Sequence, residues 1–249
     1  MPIMKGDFVL IDFVAKIKET DEVFDTTIEE EAVKSGLQKE DSKFEPLLVV
    51  VGERWVLRSL DDAIIGMNVN DSKTIEVLPQ DGFGLRDPSK VRLMALRRFR
   101  NHQGPIVPGA RVEVDGRVGF IRTVGAGRVQ VDFNPPLAGR TLVYDLTVKK
   151  RITRRKEKTL SLVHRRMPTV DVKKLEINFK NTMVEFKLPE EIYYAQGLQY
   201  AKRGLASDIQ KFFDKIDVIS FVEEFRKTES EAKPLEEEPK QEAEKEDNQ

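Results

Sequence analysis

The sequence predicts an α+β protein made of three modules. Three observations predict it. Residues 6–84 read as short strands interrupted by one stretch of helical spacing. Between Val129 and Val148, VQVDFNPPLAGRTLVYDLTV, a strand with β-branched residues on alternate positions stops at Asn134-Pro135-Pro136. It turns at Ala138-Gly139 and resumes at Leu142. Proline excludes helix and cannot donate to a sheet ladder, so this is where the chain passes between modules. Beyond residue 153 the order helix, strand, strand, helix, strand suits a small α/β sandwich. The expected organisation is a parent module over 1–86 and 137–152, an inserted all-β module over 87–136, a C-terminal module over 153–228, and a tail over 229–249.

In the parent module, Gly6–Lys18 alternates imperfectly around Phe8 and Leu10 and reads as a strand. Thr20-Asp21-Glu22 is a turn, followed by Val23–Thr27. Glu29–Glu40 is a charged excursion, a surface loop or a short helix. Leu47–Val51 is an apolar run of strand length ended by Gly52. Val56, Leu57, Leu60, Ala63 and Ile64 have helical spacing, and Gly66 suits the end of that helix. Lys73–Leu78 is a further strand, followed by Pro79-Gln80-Asp81-Gly82-Phe83-Gly84.

In the insert, Arg92–Arg100 mixes apolar and basic residues. Val107–Phe120 and Ile121–Phe133 read as short strands separated by turns at Asp115-Gly116 and Gly125-Ala126-Gly127. Arg151–Lys158 is a basic connector. A helix is expected from Glu157 to Arg166, and a hairpin from Leu175–Phe179 and Met183–Leu188. A second helix should open at Pro189-Glu190-Glu191, where proline and acids favour a helix start, and run to about Phe213. Val218–Phe225 reads as a strand. Tyr193, Tyr194, Tyr200, Phe212 and Phe213 would lie on that second helix, most of them as core.

Composition removes whole classes of chemistry. The chain has no cysteine, so disulfides, thiol catalysis and thiolate metal sites are excluded. Its two histidines, His102 and His164, lie in basic, polar stretches and read as surface residues, which supports neither a metal cluster nor a catalytic triad. Gly82-Phe83-Gly84 is too short for a phosphate loop and precedes no helix. No cofactor and no metal are expected. No apolar run approaches membrane-spanning length, and Met1–Phe13 lacks the features of a signal peptide, so a cytoplasmic protein is expected. Residues 229–249 hold nine acids and three lysines, a net of −6 in a chain whose total is −1. The remainder is therefore +5. Such a tail buries too little apolar surface to offset its ordering entropy and is expected to be disordered.

DFNPPLAGRTL, residues 132–142, resembles the DFNHPLAGKTL segment of the SlyD-like FKBP prolyl isomerases, with Pro135 in place of the usual His. The order Gly52, helix, Gly66-Met67, turn, Asp71, strand, Pro79-x-Asp81-x-Phe83-Gly84 is similar to the core of the same family, whose usual AYG is here GFG. The resemblance covers residues 5–152. A weaker one, carried by element order and QYAKRGLASDI, links the C-terminal module to the longer archaeal FKBPs. It implies an FKBP-like antiparallel sheet wrapped on a short helix, an insert-in-flap β module and a C-terminal α/β module. It also implies peptidyl-prolyl cis-trans isomerisation without cofactor or covalent intermediate. The pocket residues it implies are Phe13, Phe24, Asp25, Val56, Leu57, Leu60, Phe83 and Tyr144, with Leu47 also contacting substrate. Leu60, Phe83 and Tyr144 would floor the proline ring, the Leu57 amide would anchor the peptide, and Asp25 would sit near the twisted carbonyl. Phe13 and Phe83 stand where the family usually has Tyr, and Leu60 replaces the Trp of drug-binding members.

The resemblance also implies that the insert holds unfolded or nascent chains, for which Met94, Leu96, Phe99, Val107 and Phe120 are the candidate contacts. Taken without it, the apolar pocket residues read as core and Asp25 as a turn residue, while the insert residues read equally as that module's own small core. Two rival functions stay open. One is a catalytically weak holdase on an isomerase fold, motivated by the missing tyrosine hydroxyls. The other is a ribosome- or nucleic-acid-associated protein, motivated by Arg92, Arg97, Arg98, Arg100 and the run Lys149–Lys156. The second requires those cations on one continuous face. The partners expected are proline-containing peptides and unfolded proteins, no membrane, and a second copy through the C-terminal module.

Overall fold

A computed structural model of the chain describes residues 1–38, 42–100 and 102–225. The expected disordered tail lies outside the described residues. Among the described residues, three sheets carry the fold. The parent sheet contains β1 (Phe8–Ile17), β2 (Glu22–Thr26), β3 (Leu47–Val50), β4 (Ser72–Val77) and β9 (Leu142–Ile152). Its order is β2-β1-β9-β4, all antiparallel, with β3 also on β1. A short helix α1 (Glu29–Lys34) follows β2, and α2 (Arg58–Ile64) lies between β3 and β4.

Period-two alternation sorts β1 between two cores. Val9, Ile11, Phe13, Ala15 and Ile17 face α2 and pack with Leu60 and Ile64. Phe8 and Leu10 point to the other side of the sheet. The imperfect alternation of the sequence is therefore a strand buried on both faces. One edge of β1 is shared by two partners. β3 takes Phe8–Ile11 and β2 takes Val14–Ile17, which leaves a notch in strand pairing at Asp12-Phe13.

The insert is a four-stranded antiparallel sheet of β5 (Val91–Ala95), β6 (Arg111–Val114), β7 (Arg117–Gly125) and β8 (Arg128–Asp132), ordered β5-β8-β7-β6. Its turns fall at Asp115-Gly116 and Ala126-Gly127, where all four residues have positive φ. The return to β9 turns at Gly139, whose φ is +76° and whose N–H donates to the Gly84 carbonyl at 2.8 Å.

The C-terminal module contains α3 (Arg155–Arg166), β10 (Glu176–Lys180), β11 (Met183–Lys187), α4 (Leu198–Phe212) and β12 (Val218–Val222). β10 and β11 form the expected hairpin, and β12 runs parallel to β11. This module docks on the outer face of the parent sheet. Phe8, Leu48, Val50 and Ile152 share one core with Leu162, Phe186, Leu205 and Ile209. Phe212 makes edge contacts with both Phe8 and Trp55, with centroids 5.3 and 5.8 Å apart.

Three expectations change. The helix expected from Pro189 to Phe213 is broken into a single 3₁₀ turn at Glu190–Ile192 and α4, with Gly197 between them at φ +79°. Tyr193 pins that turn, because its hydroxyl accepts the Glu224 N–H at 2.8 Å. Tyr194 and Tyr200 are consequently 87% and 85% exposed and are not core. The basic connector is not a connector either. Arg151 and Ile152 belong to β9, and the residues from Arg155 onward belong to α3.

Candidate active site

Six of the eight pocket residues implied by the resemblance come together. Phe13 from β1, Phe24 from β2, Val56 and Leu57 ahead of α2, Leu60 on α2 and Tyr144 on β9 all join one apolar cluster. The Tyr144 ring is 5.8 Å from that of Phe13 and 6.0 Å from that of Phe24, the latter edge-on. These positions follow from local sequence. Phe13 and Tyr144 face inward on antiparallel strands. Leu60 faces the same core because helical spacing aligns it with Ile64.

Asp61 is a positioning residue that sequence reasoning missed. Its buried carboxylate accepts the N–H of Gly52 at 2.9 Å and of Arg54 at 3.0 Å, which ties the approach to Val56-Leu57 onto α2. The signal was available, since a carboxylate on the inner side of an amphipathic helix requires partners. Leu57 caps α2, and its carbonyl accepts from Leu60 and Asp61. Its own N–H donates to no protein acceptor among the described residues, so it is open to a ligand.

Asp25 lies on β2 beside this cluster. Loss of hydration against the apolar wall raises its pKa, opposed by the Thr26 backbone N–H. Tyr144 is pushed up to about 12, first by burial and then by the negative charge of Asp25. Tyr144 therefore keeps its proton throughout the physiological range and remains a hydrogen-bond donor. The site thus gathers a buried aromatic and aliphatic cluster around Phe13, Leu60 and Tyr144, reached past the partly buried Phe24, Val56 and Leu57, with one phenol and one carboxylate. It holds no nucleophile–base pair.

Phe83, Leu47 and the insert residues stand differently. Phe83 follows a 3₁₀ turn at Pro79–Asp81 and is 43% exposed, outside the packed cluster. Leu47 is exposed at the start of β3. In the insert, Met94 and Phe99 are only 8% and 6% exposed and pack with Val112, Ile121, Val129 and Val131. As exposed client contacts they are corrected: β5 points Met94 inward, and so small a module needs its large apolar groups for its own core. Leu96 and Val107 remain exposed and Phe120 is half-buried. Leu93, Val118 and Val124 add apolar surface that sequence reasoning did not single out.

Several of the basic residues are engaged by other groups. Lys149 pairs with Asp12, Lys150 with Glu157, Arg151 with Asp7 and Arg98 with Asp115. Arg155 lies over the Phe179 ring and Lys158 over that of Phe8.

Three family models match the chain in succession. The description "FKBP-type peptidyl-prolyl cis-trans isomerase" covers residues 2–94, "FKBP26, IF domain" covers 92–137, and "FKBP26_C-terminal" covers 155–226. A short-type peptidyl-prolyl cis-trans isomerase of Methanocaldococcus jannaschii is 30% identical over 147 residues, which is 59% of this chain and 92% of that protein. The chain belongs to the FKBP-type peptidyl-prolyl cis-trans isomerase family. An FKBP-type 16 kDa isomerase of Escherichia coli is 29% identical over 107 residues, 41% of this chain and 72% of that protein. The isomerase SlyD of Helicobacter pylori is 23% identical over 107 residues, 42% of this chain and 58% of that protein. Family membership accounts for the three-module α+β architecture, with isomerase core, insert and C-terminal module in that order. Among the described residues, no helix is long and apolar enough to cross a membrane.

Proposed function

We propose that this FKBP-type protein rotates X-Pro bonds of unfolded and nascent proteins in the cytoplasm, and that its insert holds those chains near the pocket. One observation carries the catalytic part: Phe13, Phe24, Leu60 and Tyr144 pack into one dry apolar cluster beside the single carboxylate of Asp25. Rotation about an X-Pro bond crosses a barrier of about 18–20 kcal/mol, because amide resonance is lost midway. The planar amide is more polar than the twisted one. A dry apolar pocket therefore binds the twisted form better relative to water, which is differential binding of the transition state. Leu60 and Tyr144 receive the proline ring, with Phe83 closing over it from the rim. The open Leu57 N–H holds the peptide backbone. Asp25 and the Tyr144 hydroxyl orient the twisted carbonyl region. No covalent intermediate, metal or cofactor is needed. Leu96, Val107 and Phe120, with Leu93, form the holding surface of the insert.

The test is refolding of a protein limited by prolyl isomerisation, a phase of about 10–100 s when uncatalysed. The wild type shortens that phase. Asp25→Ala and Phe83→Ala reduce kcat/KM about tenfold or more, a loss of about 1.4 kcal/mol of transition-state stabilisation. Because burial raises the Asp25 pKa, the acid limb of the activity lies above the titration range of a free aspartate. A wild type that suppresses aggregation but leaves the slow phase unchanged would establish the holdase reading, which the absence of hydroxyls at Phe13 and Phe83 favours.

A further inference from the structure

A cleft of about 640 Å³ opens beside the aromatic cluster and is lined by two modules. Phe13, Asp25 and Leu47 form its parent end, and these are residues of the proposed proline site. Leu10 and Leu48 also line it, although they face the opposite side of the sheet from Phe13. A space that touches both faces of a sheet has to pass an edge. The passage here is the notch at Asp12-Phe13, where β3 has ended and β2 has not begun. On the far side, Leu160 of α3 and Val172 from the loop after it complete the wall. One rim is bridged by Glu45 and His164, 2.5 Å apart.

The chemistry of the lining defines what it accepts. The notch is closed to main-chain pairing. The Phe13 N–H donates to the Thr27 hydroxyl at 2.9 Å, and the Phe13 carbonyl accepts from the Thr26 hydroxyl and the Thr27 N–H. An occupant is therefore read through side chains and not by extending the sheet. The wall surface is mostly aliphatic and aromatic, with Asp25, Lys43, Glu45 and Arg165 as its charged members, and the volume lies within the range of ligand pockets, large enough for more than one side chain. The chain's own tail is the wrong occupant in chemistry: residues 229–249 offer Leu235 as their one large apolar side chain, among nine acids.

We infer that this cleft is a second client subsite, which takes apolar side chains flanking the proline while the proline ring occupies the adjacent pocket. It rests on the isomerase reading and adds to it a role for the C-terminal module: α3 and the loop after it select substrate sequence. Continuity carries the argument, since Phe13 and Asp25 belong to both spaces.

The experiment uses the full chain with Val172→Lys and, separately, Leu160→Gln, each checked for native circular dichroism. Two peptides share one X-Pro bond; the short one ends next to it, and the long one adds leucine and phenylalanine on both sides. The wild type turns over the long peptide with the lower KM. Both variants keep kcat/KM on the short peptide within about twofold, and their KM for the long one rises about tenfold. A labelled long peptide with alanine for proline, followed by anisotropy, separates binding from rotation, and its Kd rises by the same factor in the variants. Loss of rotation in the wild type with this binding intact overturns the catalytic reading and leaves the subsite supported. A wild type indifferent to peptide length overturns the subsite, as do variants that lose equally on both peptides. Unchanged long-peptide binding in both variants, together with a loss of stability on truncation after Phe225, also overturns it, by showing the tail to be the occupant.

Discussion

The insert and the C-terminal module are fastened to the same sheet by opposite kinds of contact. The C-terminal module shares a hydrophobic core with the outer face of β1, β3 and β9, through Phe8, Leu48, Val50 and Ile152. The insert keeps a core of its own and is held at its base by a polar clasp. Asp132, 1% exposed, accepts from Arg86 and Arg122 and from the backbone and side-chain amides of Asn134. Asn134 in turn accepts the Asp87 N–H at 2.9 Å and donates to the Asp87 carbonyl at 2.9 Å. Both crossings between parent and insert are thus tied to each other. A shared core makes two modules one cooperative unit, whereas a clasp fixes orientation and leaves the insert able to unfold alone.

The sharpest way to break that contrast is Phe8→Ala. Phe8 is fully buried between Phe212 and the Lys158 ammonium group. Its truncation is expected to cost about 3–5 kcal/mol and to unfold both modules in one transition. Trp55, the only tryptophan, lies at this junction against Phe212 and Arg165. Its fluorescence should therefore change together with far-UV circular dichroism. Separate transitions would show that the shared core does not couple the modules.

Gly119→Ala tests the other side. A Cβ there would sit 2.7 Å from Val131 Cγ1 and 2.9 Å from Phe133 Cδ1, inside the insert. Overpacking of this kind costs about 1–3 kcal/mol. Hydrogen exchange should speed up across β6, β7 and β8 while Trp55 fluorescence and short-peptide isomerisation stay as in the wild type. A fall in the melting temperature of the isomerase core would mean that the insert is not a separate unit.

The same contrast explains what could be read in the sequence. The junction was legible because Pro135-Pro136 and Gly139 restrict the backbone whatever surrounds them. α2 was legible because its spacing matches one buried face. Docking of the C-terminal module had a signal that was read only as irregular alternation: Phe8-Val9-Leu10-Ile11 is apolar on both faces because both faces are covered. The break at Gly197 was hidden because a glycine within helical spacing costs only about 1 kcal/mol, so sequence alone does not say whether the helix stops. The inward turn of Met94 depends on which side of β5 is covered, which alternation does not specify. The cleft was beyond reach, since Phe13 and Val172 meet only through the docking of a module distant in sequence.

Asp132→Asn gives the smallest effect and the finest test. Burial alone would raise the pKa of this carboxyl. The Asn134 hydrogen bonds and the Arg122 and Arg86 guanidinium groups outweigh it and hold the value below the ordinary 3.8. A carboxylate whose folded pKa is depressed contributes stability that is present above the unfolded value and is lost as pH falls through the folded one. The clasp should therefore be intact from neutral pH down to about 4 and loosen only below that. Asparagine keeps the shape but removes the charge, and it turns one acceptor into a donor aimed at the arginines. Because Arg86 and Arg122 are partly exposed, water compensates much of their loss, so about 1–2 kcal/mol is expected, confined to the insert. Proteolysis at the base of the insert should show the variant as loosened at pH 7 as the wild type becomes in acid, with no further change on acidification. The packing of Trp55 against Phe212 contains no carboxylate and should not follow that profile. A variant whose base still tightens with rising pH would assign the pH dependence to another group and remove Asp132 from the centre of the clasp.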